Sequence, residues 1–317
     1  MTDKSFSFND SSTWSLGFTY LMLAVVMALW AAGIVIARGV HESVPPVGFG
    51  FWRWILVTAC LVATTWPRLA AEWPIVMRNW KLFLTYGFFL VFGSTMMLVA
   101  VNFTTAINAN LVNASQPAVT IAVAWLLVRD RTTRLQLLGV GVALAGIVYM
   151  VVRGDLSVLT GFRFYSGDFW MLIAVIGYAS YAVRLRRMPK GISPLTALCV
   201  ISGAGALLIL PFYVVEMVIY KPVPLSWQAS GAIVFMGVLV SLLPVMLWNE
   251  SIRRVGVNRA AIFVNLMPVF GAILAIAFLG ERLFLFHVVG AVMVFAGIVL
   301  VVRGDPAAVK RTEQPAE

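Results

Sequence analysis

The chain alternates long apolar runs with short breaks rich in charge, proline or glycine. A helix crossing the hydrocarbon core of a bilayer needs about 20 apolar residues. Ten runs of that order can be traced, and they predict helices over residues 16–37, 47–66, 82–101, 107–128, 135–152, 167–183, 194–219, 227–249, 258–279 and 283–302. The first run outlasts a cleavable signal core and reads as a retained helix. The expected fold class is an all-α integral membrane protein with ten transmembrane helices, its tails (residues 1–15 and 304–317) polar and disordered.

Composition strengthens this reading. Of 317 residues, 61% are hydrophobic and only 11% charged, and the mean hydropathy is +0.94. Soluble domains carry about a quarter charged residues. The net charge of +10 does not point to nucleic acid, which needs a basic, water-exposed face. The basic residues are instead spread between apolar runs and divide unequally. The side holding both tails and every second loop carries 17 of them, and the opposite side carries Arg38, Arg153, Arg163, Lys221 and Arg282. Positive charge favours the cytoplasmic side, so both termini are expected there. Cys60 and Cys199 lie within apolar runs and predict neither a disulfide framework nor a zinc site. His41-Glu42 lacks the second histidine of a metalloprotease helix, because position 45 is proline. No metal, cofactor or enzymatic chemistry is expected.

The runs repeat. Pro117 matches Pro268, Asp130-Arg131 matches Glu281-Arg282, Gly139 matches Gly290, and Ala145-Gly146-Ile147-Val148 matches Ala296-Gly297-Ile298-Val299, all at an offset of 151. A weaker offset of 148 pairs Pro46 with Pro194 and Trp30 with Tyr178. Each half then holds five helices (residues 16–155 and 166–303), and an odd number makes the second half start on the opposite face. Inverted repeats of this kind build many secondary transporters, with the substrate between the halves near the midplane.

Residues 100–152 resemble the first-half signature of the EamA family of the drug/metabolite transporter superfamily. Residues 247–304 resemble its second half, with an asparagine-rich entry, a mid-helix proline and the terminal Gly280-Glu281. The first half departs by carrying Arg129-Asp130 where Gly-Glu is usual. Within the family, the chain is most similar to bacterial exporters of aromatic amino acids. The resemblance implies a ten-helix transporter of the bacterial inner membrane whose central cavity is lined by the first four helices of each half. The fifth and tenth helices are then peripheral supports. It also implies a small-molecule substrate, foremost an aromatic amino acid, with other amino acids, drugs and nucleotide-linked metabolites as alternatives. Membrane lipid is the remaining partner. A passive pore is the rival mechanism.

Several residues are candidates for substrate contact. The entry of the fourth run is polar, with Asn108, Asn110, Asn113, Ser115 and Gln116. On a continuous helix Asn110, Asn113 and Pro117 share one face, which is costly in lipid and so faces either a cavity or a neighbouring helix. Pro117 and Pro268 each free a backbone carbonyl one turn upstream, either for substrate or as the mark of a kink. Asn265, a turn before Pro268, is the leading candidate from the second half. Arg53 is the one basic residue well within a run. An arginine there costs about 2.5–3.5 kcal/mol on insertion scales. It reads as a carboxylate anchor, or as a side chain that snorkels outward or pairs with a carbonyl. Its repeat counterpart is Ile201, so fold symmetry does not require it. Trp30, Tyr86, Tyr178, Tyr181 and Trp248 offer rings for stacking, against the ordinary role of aromatics as interfacial anchors. His287 reads as packing within a support helix. Glu216 and Glu250 sit near run ends, and Asp168 opens one, so no carboxylate is clearly central. Fluorescent-protein fusions at the two ends are expected to be bright and alkaline-phosphatase fusions at the same ends inactive, which a paired-reporter assay in bacteria reads directly.

Overall fold

A computed structural model describes residues 15–128, 133–152, 166–185, 187–255 and 263–303. Residues 1–14 and 304–317 of the tails expected to be disordered, Arg129-Asp130 and the start of the ninth run lie outside the described residues. Within them the chain is all-helical, without strands. In chain order the helices are α1 (Leu16–Gly39), α2 (Pro46–Arg78) and α3 (Trp80–Gly87, continuing through Phe88–Phe92 to Gly93–Ala100). Next come α4 in two pieces (Ala106–Asn113 and Gln116–Val128), α5 (Arg134–Val151), α6 (Ser166–Leu185) and α7 (Pro194–Ile219). The last are α8 (Trp227–Val234, then Phe235–Leu242 and Leu243–Val255), α9 (Val264–Leu266, then Met267–Leu279) and α10 (Leu285–Arg303). Among the described residues, six helices are long and apolar enough to cross a membrane: α1, α2, α3, α6, α7 and α8.

Helix starts follow local chemistry. Ser15, Thr105, Thr133, Ser193 and Ser226 each accept a bond from the backbone N–H three residues on, satisfying a donor that the helix itself leaves open. Thr133 and Gln136 bond reciprocally as a capping box.

Three expectations need correction. The second helix does not end at Trp66. It continues to Arg78 with Pro67 and Pro74 inside it, so a stretch expected as loop is an amphipathic extension bearing exposed Trp66 and Trp73. The fourth run is not one continuous helix: it breaks at Ala114–Ser115, and Pro117 becomes the second residue of a new helix, where its missing N–H costs nothing. The single polar face expected for Asn110, Asn113 and Pro117 is interrupted there. In the ninth run a short 3-10 turn, Val264–Leu266, likewise precedes a helix with Pro268 as its second residue.

α3 and α8 share a different irregularity. Each widens into π-helical turns, at Phe88–Phe92 and at Phe235–Leu242.

The packing partners are α5 with α10, α2 with α7, α3 with α6 and α7, α1 with α8 and α9, α4 with α6 and α9, and α2 with α8. The largest hydrophobic cluster joins α1, the outer part of α3, α4, α6 and the π-helical part of α8. α5 and α10 meet almost backbone to backbone. A Cβ added at Gly297 would sit 2.5 Å from the Gly139 carbonyl oxygen, and one at Gly146 would sit 2.8 Å from that of Gly290. Such small-residue contacts substitute for the hydrophobic drive that lipid does not supply. Gly297→Leu is therefore expected to destabilise the protein by about 1–3 kcal/mol through overpacking, whereas Gly141→Leu on α5, with nothing within 4 Å, leaves it unchanged; thermal unfolding in detergent compares the two.

Candidate substrate-binding site

Several candidate residues meet across the halves: Arg53 with Tyr178, Trp30 with Trp248, Tyr86 with Tyr181, Asn110 with Gly271 and Asn113 with Met267. Arg53 is 2% exposed. Its guanidinium bonds the Tyr178 side chain and lies 5.1 Å from the Trp54 ring centroid, while among the described residues its Nε has no hydrogen-bond partner. The side chain turns inward instead of snorkelling, and among the described residues no carbonyl is its partner. Tyr178 also bonds Ser94, whose hydroxyl accepts from Trp54 Nε1 at 2.7 Å and donates to the Val91 carbonyl at 2.9 Å. Close approach of α6 and α3 makes this possible, because Gly177 and Gly93 let the two backbones touch.

Trp30 donates from Nε1 to the Val240 carbonyl at 3.1 Å, and its ring lies 5.6 Å from that of Trp248. Val240 belongs to the π-helical part of α8, where a wider turn changes which backbone groups are bonded within the helix. Tyr86 is fully buried, packs edge-on against Tyr181 at 6.2 Å and donates to the Arg184 carbonyl at 2.7 Å. This ring pair sits with Val76, Phe83, Ala197 and Ile201, apart from the cluster that holds Trp30. The structure therefore does not gather all the aromatic candidates at one point.

Asn110 and Asn113 face α9. Asn110 is fully buried. Its Nδ2 donates to the Ala106 carbonyl at 2.9 Å, its Oδ1 has no partner, and its side chain occupies the space that a Cβ on Gly271 would need. Asn113 Nδ2 lies 3.7 Å from Met267 Sδ, next to the buried Pro268. Gln116 is half-buried, and its carbonyl accepts from Thr120 Oγ1 at 2.7 Å. The side chains of Pro117 and Asn265 lie outside what the structure describes. Asn108 donates to Thr104 Oγ1 and to the Asp168 carboxylate, which also accepts from Thr104 Oγ1. Asp168 is thereby tied to the entry of α4. His287 Nδ1 accepts from the Phe284 N–H at 3.0 Å, a packing and capping role at the start of α10.

Three glutamates have a role that the sequence reading missed. The Glu216 carboxylate accepts from the Val47 and Gly48 N–H groups at 3.0 and 2.6 Å. These are open donors because α2 starts on Pro45 with no side-chain cap. Glu281 accepts from Ala106 N and Ile107 N at 2.7 and 2.9 Å, the two donors that Thr105 does not reach. Glu72 accepts from Ser193 N at 2.9 Å. A carboxylate on a helix N-terminus gains both charge-assisted bonds and the helix dipole. Gly280 adopts φ +65°, a left-handed turn open to glycine at low cost, and Glu281 follows it directly. The Gly-Glu pair was the visible signal. Glu250, by contrast, pairs with Arg254 four residues along its own helix at 2.6 Å.

The EamA-like transporter family matches this chain twice, over residues 17–152 and 165–303. The chain belongs to the EamA-like transporter family. Among its curated relatives is the uncharacterized transporter YyaM of Bacillus subtilis (strain 168), 25% identical over 283 residues that cover 88% of this chain and 92% of the relative. A "Probable amino-acid metabolite efflux pump" of Salmonella typhimurium (strain LT2) is 22% identical and covers 91% and 95%. A "Probable terminal-alkyne amino-acid exporter" of Streptantibioticus cattleyicolor is 24% identical over 62% of this chain and 64% of its own. One solved crystal structure shares the fold with a TM-score of 0.55 at 16% identity, covering 95% of this chain and all of its own. This EamA-like chain is thus a multi-pass membrane protein of a transporter family. Glu281→Ala, which removes both bonds at the α4 entry, is expected to lower stability by about 1–3 kcal/mol, with Glu281→Gln intermediate, in chemical unfolding of the detergent-solubilised protein.

Proposed function

We propose that the chain is a ten-helix secondary transporter of the bacterial inner membrane that exports small metabolites, foremost aromatic amino acids, by alternating access. Two five-helix halves, residues 16–155 and 166–303, are related by inverted topology, and both termini are cytoplasmic. The observation that carries this reading is that the most extensive helix–helix contacts survive exchange of the halves. Replacing each helix by the one five places along turns α3–α6 into α8–α1, α4–α6 into α9–α1, and α3–α7 into α8–α2. The pairs α2–α7, α4–α9 and α5–α10 map onto themselves. The caps obey the same rule: Glu72 of α2 bonds the start of α7, and Glu216 of α7 bonds the start of α2. The π-helical turns of α3 and α8 and the broken α4 and α9 are likewise counterparts.

Two related halves support two arrangements of similar energy, one open to each side, which is what a carrier needs. Interrupted helices near the centre are also a recurring way to present backbone groups to a solute. The substrate class draws support from relatives named as amino-acid exporters and efflux pumps. The aromatic preference draws support from the Trp30–Trp248 ring pair across the halves.

The test is reconstitution in liposomes with a panel of labelled amino acids, with and without a pH gradient. Uptake of trapped label driven by unlabelled solute marks a carrier, and flux without saturation or counterflow marks a pore. Asn110→Ala and Asn265→Ala are each expected to reduce transport at least several-fold while membrane insertion is unchanged; normal flux in both removes α4 and α9 from the substrate path.

A further inference from the structure

We propose that Arg53 is the anchor for a substrate carboxylate, with Tyr178 as the residue that positions its guanidinium; this rests on the transport reading above and narrows it to carboxylate-bearing solutes. Among the described residues no carboxylate pairs with Arg53, and its partners are the Tyr178 hydroxyl and the face of Trp54. A neutral hydroxyl and a ring face do not cancel a full charge buried to 2% exposure, and buried charges are ordinarily paired. The unused donor is Nε. In an arginine, Nε and one Nη make the side edge of the fork, which receives both oxygens of a carboxylate. That donor is buried and, among the described residues, unpaired.

Position supports a soluble anion over a lipid headgroup. Arg53 lies seven residues into α2, roughly 10 Å along the axis from its start, and faces the interior between α2, α3 and α6. Nor does the scaffold need a charge at this level of the repeat. Ile201, the counterpart at an offset of 148, is 1% exposed among apolar neighbours. One half therefore spends an arginine where the other holds an aliphatic side chain, as expected of a solute with one anionic end.

The experiment measures ligand-induced thermal stabilisation of the purified full chain in lipid nanodiscs. The carboxylates are L-phenylalanine, L-leucine, L-glutamate, phenylpyruvate and succinate; the carboxylate-free partners are phenethylamine and L-phenylalaninamide. At least one carboxylate is expected to bind, and its removal or amidation is expected to weaken binding at least tenfold. Arg53→Gln is expected to erase that preference, lowering carboxylate affinity at least tenfold and leaving the amide unchanged, with partial recovery in Arg53→Lys. Tyr178→Phe is expected to lower the acid-to-amide ratio several-fold without changing amide binding, which a purely structural role would not do. Binding of phenylpyruvate or succinate with no amino acid bound keeps this inference and overturns the amino-acid reading. Equal binding of acid and amide by the native chain, equal losses in Arg53→Gln, or no carboxylate bound at all overturns the inference.

Discussion

A helix end leaves backbone N–H groups without partners, and in or near a bilayer little water is available to supply them. This chain meets that constraint by lending carboxylates between its halves. α2 begins on consecutive prolines and cannot cap itself, so Glu216 from α7 takes the Val47 and Gly48 donors. α4 begins on Thr105, which reaches only Asn108, so Glu281 takes Ala106 and Ile107. The remaining architecture is arranged so that these reaches are possible. Gly280 turns the chain at the end of α9, and the small residues of α5 and α10 close the far side of the assembly.

The candidate site follows from the same arrangement. The helices joined by these caps lie side by side, α2 with α7 and α4 with α9, and Asn110 meets Gly271 on the second of these seams, while Arg53 meets Tyr178 between α2 and α6 and Trp30 meets Val240 between α1 and α8. Polar groups left without partners are sparse in folded proteins. Here Arg53 Nε and the Oδ1 atoms of Asn108 and Asn110 are among them, one cationic donor and two neutral acceptors.

Much of the helical layout was legible in the apolar runs, since lipid imposes a length that few other constraints imitate. α7 was readable to the residue because Ser193-Pro194 opens it and an unbroken apolar stretch fills it. The extension of α2 was not legible: Pro67, Arg68 and Pro74 look like punctuation, yet each proline removes only one ladder bond from a helix already 20 residues long. The break in α4 was hidden for the opposite reason, because Asn-rich sequence fits a helix face as readily as a turn. The π-helical turns leave no mark in periodicity over so few residues. Among the site residues, the inward turn of Arg53 depended on Tyr178, more than a hundred positions away, and no local pattern records such a partner. The cap glutamates were half visible, in the Gly-Glu pair, but their recipients were not.

Reciprocal capping has a consequence for how the molecule comes apart. Losing the first half would remove the donors that Glu216 and Glu281 bond, and losing the second would remove the carboxylates that cap α2 and α4. Each half thus satisfies helix ends of the other, which couples the unfolding of the two despite the duplicated sequence.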